Sequence, residues 1–145
     1  MITRLVLAAV VAAAGITAVA AQSDPIAVRK ALMKGVGDQS RIAREMLDGK
    51  TPFNADAAKK VFATFEDASA KMPALFPDNS KAGDTAALPA VWDNKSDFTA
   101  KFAKLGADSK TAAAQVKDLD SFKAAMSEVG KNCGGCHQTY RKRQS

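Results

Sequence analysis

The chain of 145 residues is long enough for one domain with a single modest core. It carries 21 basic and 15 acidic residues, a formal net charge of +6, and this small, scattered excess argues against nucleic acid as a partner. A net positive charge of this size can still attract acidic proteins.

The first 21 residues have the organisation of a secretory signal peptide. Arg4 supplies the positive start, residues 5–14 the apolar stretch, and residues 18–21 the small side chains that signal peptidase requires. A retained membrane anchor is the alternative, but about 17 mostly apolar residues rich in Ala make a poor spanning helix. We expect cleavage of 1–21, with cleavage after Ala20 as a close alternative, and a mature domain over 22–145 without a membrane anchor. The net charge is +5 once Arg4 is lost.

A first helix is predicted over 25–47. Asp24 suits an N-cap and Pro25 the first helical turn, and apolar side chains follow at spacings of three, four and seven. Gly49 and Pro52 end the pattern in a turn.

A second helix is predicted to begin after Asn54, a favourable N-cap, and to end before Pro73. Residues 73–88 have the composition of a loop, interrupted by Leu75 and Phe76. These two apolar side chains are expected to fold back onto the core.

A third helix is predicted to begin near Pro89 and to continue past Gly106 to about residue 117. Its apolar stripe includes Trp92 and Phe98, with charged residues on the opposite face. Ordinary core packing is the simplest interpretation of each ring.

A fourth helix is predicted to follow the turn at 118–120, with Asp120 as its N-cap. Apolar side chains, both cysteines and Tyr140 share one broad face of this helix. Four helices with short links at the first and third turns, and no convincing strand, predict an all-α fold, an antiparallel four-helix bundle.

Both cysteines and the single histidine of the chain lie in the pentad Cys133-Gly134-Gly135-Cys136-His137. Two thiols three positions apart on a helix can add to the two vinyl groups of a haem, and the adjacent imidazole can then reach the iron. The C-x-x-C-H spacing therefore predicts one covalently attached haem c. An exported chain of bacterial type that carries haem c belongs in the periplasm.

Other interpretations of the pentad fit less well. A structural zinc site needs four ligands, and the chain has no further Cys or His to complete one. A thioredoxin-like redox pair lies in an alternating β/α pattern, which is not found here. A disulfide between residues three apart closes so small a loop that it stabilises little.

The chain resembles the class II cytochromes c, the family of cytochrome c′ and cytochrome c-556, over essentially all of residues 22–145. The resemblance depends on the pentad at 133–137 near the C-terminus and on the Gln-Thr-Tyr-Arg that follows it. Weaker matches are the stretch 29–34 of the first helix, Leu-Phe-Pro at 75–77, and Val91-Trp92 with Phe98.

The resemblance implies an antiparallel bundle that encloses the haem, with His137 as the proximal iron ligand. In the family the distal residue lies four positions after the arginine at position 29; high-spin cytochromes c′ carry a bulky apolar residue there, whereas low-spin members carry Met. Here the position is Met33, which implies a low-spin haem with His and Met ligands. Family members are often dimers through their first two helices, so a homodimer is also possible.

The other methionines of the mature chain fit the distal position less well. Met46 points about 140° away from Met33 on the same helix. Met126 lies on the helix of His137, and Met72 adjoins Pro73 at a helix end, where core or loop packing is expected.

His/Met ligation predicts a one-electron carrier, not an enzyme, because it leaves little open coordination at the iron. The alternative is a five-coordinate cytochrome c′ that binds nitric oxide or carbon monoxide. The sequence contains no further acid/base or nucleophile constellation that would support an enzyme.

Several residues are expected around the haem. Arg141, one turn after His137, and Arg29 are candidates for contact with the proximal imidazole or a propionate, and Trp92 and Phe98 are candidates for packing on the haem. The positive charge of residues 141–143 would also favour docking of acidic redox partners.

Overall fold

The computed structural model describes residues 24–143, so the predicted signal peptide over 1–21 lies outside the described residues. Two 3₁₀ turns, Met72–Leu75 and Asp78–Ser80, follow the second helix. The α-helices, numbered in chain order, are α1 (Pro25–Leu47), α2 (Ala55–Lys71), the one-turn α3 (Ala90–Asp93), α4 (Lys95–Gln115) and α5 (Leu119–Tyr140).

The first two helices begin as the sequence predicts. The Asp24 carboxylate accepts a hydrogen bond from the Ile26 N–H, Pro25 occupies the first turn, and α1 ends at Leu47. The side-chain oxygen of Asn54 accepts a hydrogen bond from the Ala57 N–H at the start of α2. These bonds satisfy backbone donors that helix starts leave without an intrahelical partner.

The predicted third helix is wrong in one respect, because it is broken at Asn94. This residue has φ −120° and ψ 48°, which no helix accepts, and it separates α3 from α4. Its N–H donates to the Ala90 carbonyl and its carbonyl accepts from the Phe98 N–H, so both sides of the break remain hydrogen-bonded. After the break, α4 runs through Gly106 to Gln115, as expected.

The N-cap of α5 is Asp118, so the prediction of Asp120 as the cap is wrong. The Asp118 carboxylate accepts from the Ser121 N–H at 2.8 Å, and the Ser121 hydroxyl accepts from the Asp118 N–H at 3.1 Å. This reciprocal pair of hydrogen bonds is a capping box. Asp118 forms both bonds with Ser121, which makes it the N-cap in place of Asp120.

The helices α1, α2, α4 and α5 form the bundle, with α2 against α4, α4 against α5 and α1 against α2. Its buried side chains form two clusters. The first cluster contains Phe62, Phe65 and Phe122; the second contains Met72, Phe76, Val91, Phe98, Phe102 and Tyr140. Within residues 24–143, no helix combines the length and the hydropathy that a membrane crossing requires.

Candidate haem site

One cavity, of about 690 Å³, brings together most of the residues that the sequence predicts to be functional. It lies where α1, α4, α5 and the segment 84–87 meet. Of the candidates, the lining includes Arg29, Met33, Phe98, Cys133, Cys136, His137 and Arg141.

Trp92 is the candidate that does not line this cavity. Its indole N–H donates to the carbonyls of Phe76, at 3.1 Å, and Pro77, at 3.3 Å. Its ring stands edge-on to the Phe76 ring, with centroids 5.8 Å apart. Trp92 therefore packs behind Phe76, which is itself a lining residue.

The pentad lies inside the regular helix α5, which continues for one more turn to Tyr140. Residues three and four apart share a helix face, so Cys133, Cys136 and His137 all reach the cavity, while Gly134 is exposed. All three side chains are partly buried. The arrangement presents two sulfur atoms and one imidazole from a single turn of helix.

Burial shifts the titration of these groups. The pKa of the Cys133 thiol is raised by burial, and so is that of Cys136. The pKa of His137 is lowered, first by burial and second by the positive charge of Arg141. At neutral pH the imidazole is therefore uncharged, the form that can bind a metal.

Tyr140 anchors the end of α5 beside the cavity. Its ring is 4% exposed, its hydroxyl donates to the Asp97 carboxylate on α4, and its ring centroid lies 5.1 Å from that of Phe98. The Leu88 N–H donates to the Tyr140 carbonyl, and the Lys142 N–H donates to the Ala86 carbonyl. The turn that carries His137 is thus tied to α4 and to segment 84–87.

The helix α1 contributes cavity-lining residues that are spaced four apart. Arg29, Met33 and Gly37 lie on one face of the helix and all line the cavity. Met33 also packs against the second core cluster. The cavity therefore has Met33 on one of its helices and His137 on another.

The Arg29 guanidinium is buried and holds the chain segment that closes the cavity. It donates to the Leu75 carbonyl and the Ser80 hydroxyl at 3.0 Å, and to the Ser80 carbonyl and the Thr85 hydroxyl at 3.3 Å. It also lies 4.3 Å from the centre of the Phe76 ring. Burial lowers its pKa, and the charge of Asp24 acts in the opposite direction.

Four further lining residues were not predicted from the sequence, namely Met72, Phe76, Val91 and Tyr140. Met72 was expected in core or loop packing, and it is a core residue that also faces the cavity. A usable signal existed, because Met72 continues the apolar stripe of α2 by four positions from Ala68.

The lining residues fit a covalently attached haem. Two thiols and an uncharged imidazole are the donor set of a c-type haem, and aromatic and aliphatic side chains form the remaining walls. The volume falls within the roughly 300–1,000 Å³ of cofactor-sized pockets.

A second groove of similar size, about 700 Å³, runs between α4 and α5 on the outer surface. Cys136 lines it too, but His137, Cys133 and Met33 do not, and charged side chains such as Lys101, Lys104 and Glu128 surround it. The donor set therefore assigns the cofactor to the first cavity.

Known proteins similar to this chain have the same fold. The family model described as Cytochrome C' matches residues 24–141. The chain is 43% identical over 126 residues to cytochrome c' of Rhodopseudomonas palustris, which covers 86% of each protein. It is 40% identical over 114 residues to cytochrome c-556 of Agrobacterium tumefaciens strain II Chrys, or 78% of this chain and 93% of the relative. A solved structure of R. palustris cytochrome c' superimposes with a TM-score of 0.82 at 42% identity, over 86% of this chain and all (100%) of that one.

Proposed function

Because the chain belongs to the cytochrome c′ family of electron-carrying haem proteins and carries covalently attached haem c, we propose that it is a low-spin one-electron carrier in which His137 and Met33 ligate the iron. The observation that carries the proposal is that Met33 on α1 and His137 on α5 line the same cavity. Cys133 and Cys136 form the two thioether bonds.

Both axial ligands in this proposal are neutral. The haem supplies an Fe(III)/Fe(II) couple, and a thioether opposite an imidazole favours the ferrous state relative to an anionic ligand. Phe76, Phe98 and Phe102 give the cavity an apolar wall. With His137 and Met33 as ligands the iron would have little open coordination, which suits outer-sphere electron transfer.

The optical spectrum of the purified protein tests this function. We expect a low-spin ferric spectrum with a sulfur-to-iron charge-transfer band, and slow binding of carbon monoxide by the reduced form. A plainly high-spin ferric spectrum would rule out the proposed carrier.

The second candidate is a five-coordinate cytochrome c′ that binds nitric oxide or carbon monoxide at ferrous iron. It is favoured by the 43% identity to a relative named cytochrome c' and by the partial exposure of Met33. Rapid carbon monoxide binding by the unmodified reduced protein, without acid or denaturant, would support this candidate.

The role of Met33 can be tested by Met33→Leu, which keeps an apolar side chain of similar size but removes the sulfur. We expect loss of the charge-transfer band, a high-spin ferric spectrum and rapid carbon monoxide binding. Met126→Leu is the matched control, because Met126 packs against the first core cluster, away from the cavity lining. Identical spectra for the two variants would exclude Met33 as the ligand.

The proposed carrier works in the periplasm, after export and removal of residues 1–21. The mass of the mature protein tests this: a chain that begins at Gln22 is expected, and a chain retaining Arg4 contradicts it. Arg141, Lys142 and Arg143, beside the cavity, are proposed to attract acidic redox partners. Reduction by such a partner should slow as ionic strength rises, and a rate independent of salt would argue against this docking.

A further inference from the structure

Two thioethers, not one, line the haem cavity. Met33 and Met72 both belong to its wall. The other two methionines within residues 24–143 lie elsewhere, because Met46 is buried in the first core cluster and Met126 packs against it. The sulfur atoms of the cavity wall are therefore those of the two cysteines and of these two methionines.

Met72 lies next to the helix that carries Met33. It is the first residue of the turn Met72–Leu75, which contacts α1, α2 and α4, and its side chain is 1% exposed. Met33 packs against the cluster of buried side chains that includes Met72. The two thioethers thus share one apolar environment. His137 reaches the cavity from a different helix, α5.

The other potential iron ligands in the wall are already engaged. The Tyr140 hydroxyl donates to Asp97, and the amines of Lys30 and Lys34 pair with Asp84 and Asp38. With the cysteines in thioether bonds and His137 on the proximal side, the soft sulfur donors that remain among the described lining residues are the thioethers of Met33 and Met72.

We propose that Met72 is a reserve axial ligand, whose thioether binds the iron when the side chain at position 33 provides no ligand and leaves space. This inference rests on the proposed function, with haem held by His137 and Met33. The step forms one sulfur–iron bond from a lone pair of Met72 Sδ and displaces any water at the sixth position. It takes up or releases neither a proton nor an electron.

The size of the side chain at position 33 decides whether Met72 can reach the iron. A methionine side chain has three rotatable bonds and adapts to irregular space, so Met72 can enter room vacated beside it. Met33→Ala vacates that room, whereas Met33→Leu keeps it filled. The two substitutions remove the same sulfur but should have opposite effects on spin state.

The experiment compares the holo forms of Met33→Ala, Met33→Leu, Met72→Leu and the double variant Met33→Ala/Met72→Leu, and Met72→Leu alone should keep the unmodified spectrum. Met33→Ala should remain low-spin and keep a sulfur-to-iron charge-transfer band, with slow carbon monoxide binding. Met33→Leu and the double variant should be high-spin and bind carbon monoxide rapidly. Met126→Leu controls for the loss of a methionine outside the cavity.

Three outcomes would overturn the role of Met72. Met33→Ala could be high-spin like Met33→Leu, or low-spin without the sulfur band, which would indicate an amine ligand. Loss of the band in Met72→Leu alone would make Met72 the primary ligand. By contrast, a high-spin spectrum of the unmodified protein would contradict the proposed function itself, so the two failures are distinguishable. Melting curves of each variant confirm that the spectra report folded protein.

Discussion

Arg29 illustrates how one side chain can organise a site through its backbone partners. From the sequence, Arg29 is a candidate partner of a haem propionate or a solvated surface residue, but in the structure its guanidinium is buried and donates to groups on the segment 75–85. These acceptors lie 46 to 56 positions away in the chain. Arg29 therefore fixes the part of the chain that leads into the cavity wall at 84–87.

Arg29→Met should destabilise the fold, because it removes four hydrogen bonds from a buried cation while keeping the apolar stem. We expect the free energy of unfolding to fall by at least about 2 kcal/mol, and amides of 76–88 to exchange faster. Arg41→Met is the control, since the exposed pair of Arg41 with Glu45 is worth no more than about 0.5 kcal/mol. Equal losses in the two variants would contradict this role.

The hydrogen bond from Tyr140 to Asp97 should stabilise the protein up to alkaline pH. The Asp97 carboxylate raises the pKa of Tyr140 to about 12, above the roughly 10 of an unfolded chain. Because the pKa of Tyr140 is higher in the folded protein, its hydrogen bond contributes fully to stability below pH ~10. This stabilisation is lost as the pH rises toward the pKa of the folded protein. Tyr140→Phe should therefore cost about 1–2 kcal/mol at pH 7.

Denaturant unfolding of both proteins between pH 7 and 11 checks the prediction for Tyr140. The difference should be constant up to about pH 9 and should shrink above pH 10. A difference that grows with pH would show that the sign is wrong.

Contacts between residues that are close in the sequence can be predicted from it, whereas contacts between residues far apart in the chain cannot. The haem pentad is contiguous, so its chemistry can be interpreted from spacing alone. The partners of Arg29 and the contact of Tyr140 with Asp97 cannot, because they depend on how a loop and two helices fold together. Trp92 and Phe98 share one predicted stripe, but the helix breaks between them at Asn94 and only Phe98 lines the cavity.

At the scale of elements, helix starts and ends depend on competition between neighbouring caps. Asp118 and Asp120 are both suitable residue types, and the hydroxyl of Ser121 decides in favour of Asp118 by completing the reciprocal pair. For α1 and α2 the predicted caps, Asp24 and Asn54, are the ones that the structure shows. Sequence reasoning therefore located the helices and missed the details set by side-chain hydrogen bonds.

Gly106 allows α4 to approach α2 closely. A Cβ at this position would lie 2.6 Å from the Ser69 hydroxyl oxygen, which itself donates to the Glu66 carbonyl at 2.7 Å. Gly106→Ala should gain up to about 1 kcal/mol of helix propensity, but it forces Ser69 to rotate and lose this bond. We expect no net stabilisation from the single change.

The same alanine should stabilise α4 once Ser69 is also alanine. Denaturant unfolding of the original protein, both single variants and the double variant measures the coupling between the two positions. Gly106→Ala is expected to stabilise by up to about 1 kcal/mol in the Ser69→Ala background. A gain of equal size in both backgrounds would show that the close approach is unimportant.

At the scale of the whole molecule, the two core clusters relate differently to the cavity. All six buried residues of the second cluster line it, whereas none of the buried residues of the first cluster does. The four-helix bundle itself was predictable, because long amphipathic segments and short links leave few arrangements. The division of its core into two clusters could not be predicted in this way, because it depends on which residues face the cofactor.

This division predicts how the protein responds to loss of haem, for example in Cys133→Ser/Cys136→Ser. The cavity of about 690 Å³ is partly open to solvent, so without haem water enters it and meets the apolar walls, or these walls rearrange to cover their side chains. The second cluster forms these walls, so it should lose its fixed packing first.

Hydrogen exchange of the haem-free variant measures this effect. Amides near Arg29, Tyr140 and segment 84–87 should exchange much faster than in the holo protein, while those near Phe62 and Phe122 keep their protection. The first cluster can persist because its aromatic contacts, including Phe62 with Phe122 at 5.7 Å, do not involve the cavity. Uniform loss of protection would mean that the bundle folds as one cooperative unit around its cofactor, and that the two clusters are not energetically separable.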